Sequence, residues 1–110
     1  MNESETRIGH IREQIRRILR ILMDVTEEQF YNTPVLIDAV TYTYVIMGEA
    51  AKHIPTDFKN SHSAIPWQNI IKMSNTLIFN FAKSEPRRLW ETAKNDLVPL
   101  LKQLETILEQ

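Results

Sequence analysis

Cysteine is absent from the chain, which excludes a disulfide framework, a thiolate nucleophile and any cysteine-based metal site. Glycine occurs only twice in 110 residues. That scarcity argues against a glycine-rich phosphate cradle and against the frequent turns of an all-β chain. An excess of one charge is also missing: 13 basic and 14 acidic residues leave a formal net charge of −1. A strongly basic nucleic-acid binder is therefore not expected, although a local basic strip is allowed. No apolar run approaches the ~20 residues needed to span a bilayer. The N-terminus carries Glu3, Glu5 and Arg7 with no apolar segment behind them, so no signal peptide is expected. These absences point to a single all-α domain over residues 1–110, cytoplasmic and long enough to bury one core.

What the chain does have is helical periodicity. Ile8, Ile11, Ile15, Ile18, Leu19 and Leu22 form one stripe and predict a first helix from about Ser4 to Asp24. Arg12, Arg16 and Arg20 form a row beside it, with Arg17 further round. This is either a strip for phosphates or a solvated face in which Glu13 pairs with Arg17. Thr26 and Gln29 have capping-box spacing, which predicts a short helical turn. Pro34, with Thr33 or Asn32 as cap, opens a second helix that runs to about Ile54, before Pro55. Its main stripe is Leu36, Ala39, Val40, Met47, Ala50, Ala51 and Ile54. Val35, Tyr42 and Ile46 widen that stripe on one side, and Tyr44 and Ile37 on the other. A helix apolar around so much of its circumference is central in a bundle or packed against a second chain.

Residues 55–65 form a long polar connection with room for a short helix. A third helix spans Ile65 to Phe81, with Pro66 in its first turn. Trp67, Ile70, Ile71, Leu77, Ile78 and Phe81 share its apolar face, Ser74 sits in the middle of that face, and Phe79 lies well off it. It ends near Ala82 to Ser84. A fourth helix starts near Pro86, with Ser84 as a cap, and carries Leu89, Trp90, Ala93, Leu97, Leu100, Leu101, Leu104, Ile107 and Leu108 on one side. Pro99 lies inside it, removes the hydrogen bond to the Asn95 carbonyl and should kink it there. The architecture expected is a four- to five-helix up-down bundle with a proline-kinked last helix.

Chemistry is sparse on this scaffold. His10, His53 and His62 have no histidine or carboxylate partner at metal-ligand spacing, so no metal site or cofactor is expected. His62, in the polar connection, is either a general acid–base group or an ordinary exposed histidine, the commoner case. His53 sits where it can interact with the dipole at the end of the second helix. Gly48 has no glycine partners and reads as a close helix–helix contact.

Three segments together resemble one known family: Gly48–Glu49–Ala50 leading to Pro55, Ile65–Pro66–Trp67 continuing to Phe81, and Trp90 followed by Asp96–Leu97–Val98–Pro99–Leu100. Their order and spacing, from Pro34 to Leu108, are similar to the DUF86 branch of the HEPN superfamily, the HepT-like toxins. The resemblance implies a helical bundle that forms a homodimer with a ribonuclease cleft across the two-fold axis. It implies a toxin–antitoxin pairing in which an MNT-type nucleotidyltransferase silences the toxin by attaching AMP to a tyrosine. Members carry an arginine, four residues, a histidine, one residue and that tyrosine, the first two supporting metal-independent RNA cleavage. In this chain the arginine position is Ser74, the histidine position Phe79 and the tyrosine position Phe81, while Asn75, the arginine's common neighbour, is kept. Serine has no guanidinium for a phosphate, and phenylalanine has neither a proton to exchange nor a hydroxyl to modify. A catalytically silent member follows as the expectation. The competing expectation is a ribonuclease rebuilt from His62, His53, Asn75, Arg87 and Arg88, and the plainest is a helical scaffold without the nucleotidyltransferase partner.

Overall fold

A computed structural model describes residues 2–79 and 85–109. Its helices in chain order are α1 (Glu3–Ile21), α2 (Glu27–Tyr31), α3 (Pro34–Lys52), α4 (Thr56–Ser61), α5 (Trp67–Phe79), α6 (Pro86–Asn95) and α7 (Leu97–Leu108). Among the described residues the fold is all-α, a helical bundle as its periodicity predicts.

Local signals set most of the boundaries. Asn2 caps α1 through its side chain, which accepts from the Glu5 N–H. The helix ends at Ile21, short of the expected Asp24, which takes a left-handed φ of 60° and cannot extend it. The capping box at Thr26 and Gln29 forms in both directions and starts α2. Thr33 occupies the N-cap of α3 but makes no capping bond, because its hydroxyl donates back to the Gln29 carbonyl at 2.6 Å. The polar connection contains α4. Ser84 and the expected end of the third helix lie outside the described residues.

The expected kink at Pro99 is a break. The fourth amphipathic segment divides at Asp96 into α6 and α7, which places Pro99 in the first turn of α7, where its missing N–H is tolerated.

α3 is the central element, packed against α1, α5, α2 and α6. The stripe it buries is Val40, Thr43, Tyr44, Met47, Gly48 and Ala51, so the expected stripe is rotated, with Leu36, Ala39 and Ala50 only half-buried. Thr43 reaches the core because its hydroxyl donates to the Ala39 carbonyl at 2.7 Å, and Tyr44 because its hydroxyl donates to the Leu89 carbonyl at 3.1 Å. The α1 stripe of Ile8, Ile11, Ile15, Ile18 and Leu22 is buried as expected. Phe30 of α2 packs on Trp90 of α6 with ring centroids 5.6 Å apart.

Candidate functional site

α5 carries the two described motif positions, and helical geometry separates them. Ser74 and Phe79 are five residues apart, or about 140° around the helix. Ser74 is fully buried and Phe79 is 80 % exposed. Ser74 faces α3, where its hydroxyl donates to the Val45 carbonyl at 3.2 Å. Opposite it lies Gly48. A Cβ there would overlap the Ser74 side chain and stand 3.2 Å from the Ile70 carbonyl, so this crossing requires glycine at position 48. Asn75 is half-buried on the flank next to Phe79. Phe81 lies outside the described residues.

α5 runs antiparallel to α3, so its C-terminal end lies beside the N-terminal half of α3. That region holds four of the exposed large apolar side chains: Val35 (74 %), Tyr42 (59 %), Ile78 and Phe79. The broad apolar surface of α3 thus has two parts, one facing the core and one facing out.

The other candidates are dispersed. His53 caps the C-terminus of α3, its Nδ1–H donating to the Glu49 carbonyl at 2.8 Å. His62 caps α4, packs against Phe58 with ring centroids 4.6 Å apart and planes tilted by 42°, and accepts a hydrogen bond from Trp67 Nε1 at its carbonyl. His10 is exposed on α1. Arg87 is held by Glu91 at 2.9 Å, and this partner raises its pKa further above the ordinary arginine value. Arg88 lines a concavity between α3, α5 and the α6–α7 break, whereas His62 lines a separate, shallower one. No hydrogen bond or ion pair among the described residues joins His53, His62, Asn75, Arg87 and Arg88 into one constellation.

The arginine row of α1 is largely paired. Glu13 meets Arg16 at 2.9 Å and Arg12 at 3.7 Å rather than the expected Arg17, and Arg16 also reaches Glu105 of α7 at 3.1 Å. Glu105 draws Arg16 into the α1–α7 seam, and Glu13 shares it there. Among the described residues no three His, Asp or Glu side chains are grouped to hold a metal ion, and no helix is long and apolar enough to cross a membrane.

The concavity beside Arg88 is the feature that the sequence did not foreshadow. It has a volume of about 630 Å³, with Met47, Met73 and Leu100 among its apolar walls and Thr92 and Asp96 beside Arg88 on its polar side. Tyr44 borders it, with its pKa raised well above the ordinary value of 10.0 by burial and then by the nearby Asp96 charge. Tyr44 is therefore a neutral structural hydroxyl and not a nucleophile.

A long central helix crossed tightly by a shorter one, with a divided last segment closing the core, defines an all-α helical bundle. A family model described as Ribonuclease HepT-like matches residues 11–107. The chain belongs to the HepT-like family. A protein of Thermococcus cleftensis named probable ribonuclease HepT is 37 % identical over 92 residues, which cover 84 % of this chain and 83 % of the relative. A protein of Caldanaerobacter subterraneus subsp. tengcongensis, provisionally named an RNase, is 32 % identical over 103 residues, which cover 94 % of this chain and 92 % of the relative. No solved structure matches the chain.

Proposed function

We propose that this chain is a HepT-like protein that has kept the family scaffold and lost the family's route to RNA cleavage. The observation that carries the reading is at Ser74. Where the resemblance expects an arginine facing a phosphate, this chain has a buried serine, bonded to the Val45 carbonyl and packed on Gly48. A serine hydroxyl tied to that carbonyl offers no guanidinium charge to a phosphate. Phe79, at the histidine position, is exposed and has no titratable group, so acid–base help worth roughly 10²–10⁴-fold in rate has no donor there. A rebuilt ribonuclease is the weaker alternative, because its candidate groups are scattered over α3, α4, α5 and α6.

The protein is proposed to act as a homodimer and as a binding partner of an MNT-type nucleotidyltransferase, in the cytoplasm. Support for self-association comes from Val35, Tyr42, Ile78 and Phe79, exposed where α3 and α5 adjoin. A homodimer interface that uses them is isologous, with the same patch contributed by each copy. The partner rests on the family resemblance alone.

The direct test is incubation of purified protein with tRNA and mRNA without metal. No cleavage above the buffer control is expected. Cleavage that co-elutes with the protein through two columns and disappears in a His62→Ala or Arg87→Ala variant would establish the rebuilt ribonuclease instead. Co-purification with a nucleotidyltransferase encoded beside it tests the partner, and a failure to co-purify counts against that part.

A further inference from the structure

The α6–α7 break leaves a carboxylate without its usual work. Asp96 is the N-cap of α7, a position whose side chain normally accepts a hydrogen bond from the N–H of the second or third helical residue. The third residue here is Pro99, which has no N–H, and Asp96 makes no capping bond. The exposed carboxylate lines the 630 Å³ concavity.

Arg88, Thr92 and Asp96 follow at i, i+4 and i+8, so they form a row along one side of that concavity. With 1.5 Å of rise per residue, the cation and the carboxylate are about 12 Å apart along the helix, with the hydroxyl midway. Among the described residues, neither Arg88 nor Asp96 forms a side-chain hydrogen bond or ion pair, whereas the adjacent Arg87 is held by Glu91. Met47, Met73 and Leu100 also line the concavity and give it an apolar wall, of which two residues are adaptable methionines.

A ligand that answers this row carries an anion at one end, hydroxyls in the middle and a pair of adjacent N–H donors on a flat ring at the other end. We infer that the concavity at the α6–α7 break binds a guanine nucleotide, with its phosphate at Arg88, its ribose at Thr92 and its N1–H and N2 amino group donating to Asp96. Guanine is the common base that offers two neighbouring donors to one carboxylate, whereas adenine offers an acceptor beside its amino group. The ring packs against the methionine wall, in the pattern of an apolar pocket oriented by a few polar groups. The nucleotide is either free or a unit of an RNA strand, and the chemistry of recognition is the same. The site is separate from the motif positions. On α5 it is lined by Asn69, Ile70 and Met73, so neither Ser74 nor Phe79 is part of its wall, although Met73 adjoins Ser74 in sequence. It therefore stands whether or not the protein cleaves RNA.

Titration calorimetry of the full chain with guanosine 5′-monophosphate, its adenosine and inosine counterparts, and guanosine tests this. Saturable binding of the guanosine nucleotide is expected, with the adenosine nucleotide ~10-fold or more weaker, as loss of a paired base contact implies. The inosine nucleotide, which lacks the amino group, should fall between them. Asp96→Asn should erase the base preference, and Arg88→Gln should weaken the nucleotide while leaving guanosine unchanged; both variants are checked for an unaltered melting temperature. Tighter binding of a guanosine-ended oligoribonucleotide than of the mononucleotide assigns the site to RNA, and the reverse order assigns it to the free nucleotide. No saturable heat with the guanosine nucleotide overturns the inference. So does equal binding of the adenosine nucleotide, or a folded Asp96→Asn variant that binds as the parent does.

Discussion

Ser74 and Gly48 show how much one contact determines. Neither residue is unusual alone: a serine within an apolar stripe and an isolated helical glycine each have many explanations. Together they form the closest α3–α5 approach, in which the serine hydroxyl is satisfied by a backbone carbonyl and the glycine leaves room for the serine Cβ. Gly48→Ala forces the two helices apart and is expected to destabilise the protein by about 1–3 kcal/mol, despite alanine's better helix propensity. Urea unfolding followed by circular dichroism checks this; an unchanged or raised midpoint means that the crossing is loose. The sequence made Ser74 visible as an oddity but not its cause, because periodicity describes one helix at a time and Gly48 lies on another. Phe79 was legible as an outward aromatic, and its 80 % exposure agrees. Thr43 escaped because polarity alone ranks it as peripheral, and Tyr44 was legible only at the margin of the stripe, since the Leu89 carbonyl that satisfies its hydroxyl lies on another helix.

Among the elements, the last amphipathic segment departs most from its sequence pattern. Its apolar positions continue without interruption from Leu89 to Leu108, because Asp96 lies between the end of α6 and the start of α7 without disturbing the stripe. Proline signalled a disturbance but not its form. The break costs a helical hydrogen bond, and Arg88, Thr92 and Asp96 line the concavity beside it. Pro99→Ala restores an N–H opposite the Asn95 carbonyl. The amide at 99 is expected to become protected in hydrogen exchange as the two helices join, and guanosine nucleotide binding should weaken as the concavity at the break changes shape. An amide at 99 that exchanges as fast as an exposed loop residue would show that Pro99 does not cause the break. α3 posed a different problem, since breadth of apolar surface cannot separate a central helix from one that also meets a partner. The structure places it centrally and leaves Val35 and Tyr42 in solvent.

At the scale of the molecule, the fold was legible from spacing, caps and prolines, and the family from the order of three segments. An expectation for the site came only through the resemblance. Spacing could not say that Ser74 stands at a position where arginine is expected. Ser74→Arg puts a longer side chain at a fully buried contact and is expected to lower the unfolding midpoint; an unchanged midpoint would show that the crossing has room for it. The apolar patch makes an independent demand on the assembly. Sedimentation velocity at tens of micromolar protein is expected to give a dimer, and Tyr42→Ser with Phe79→Ser is expected to shift it to monomer with an unchanged melting temperature, because both side chains are mostly exposed. A strictly monomeric parent contradicts the dimer.

The central claim is that α5 now serves packing and not cleavage. Its most direct test is the fate of labelled tRNA and mRNA incubated without metal beside the purified protein, with the Thermococcus cleftensis relative run in parallel. The account predicts intact RNA at every time point with this chain, whatever the relative does. Fragments whose yield rises with the amount of this protein and follows it through purification would contradict the account.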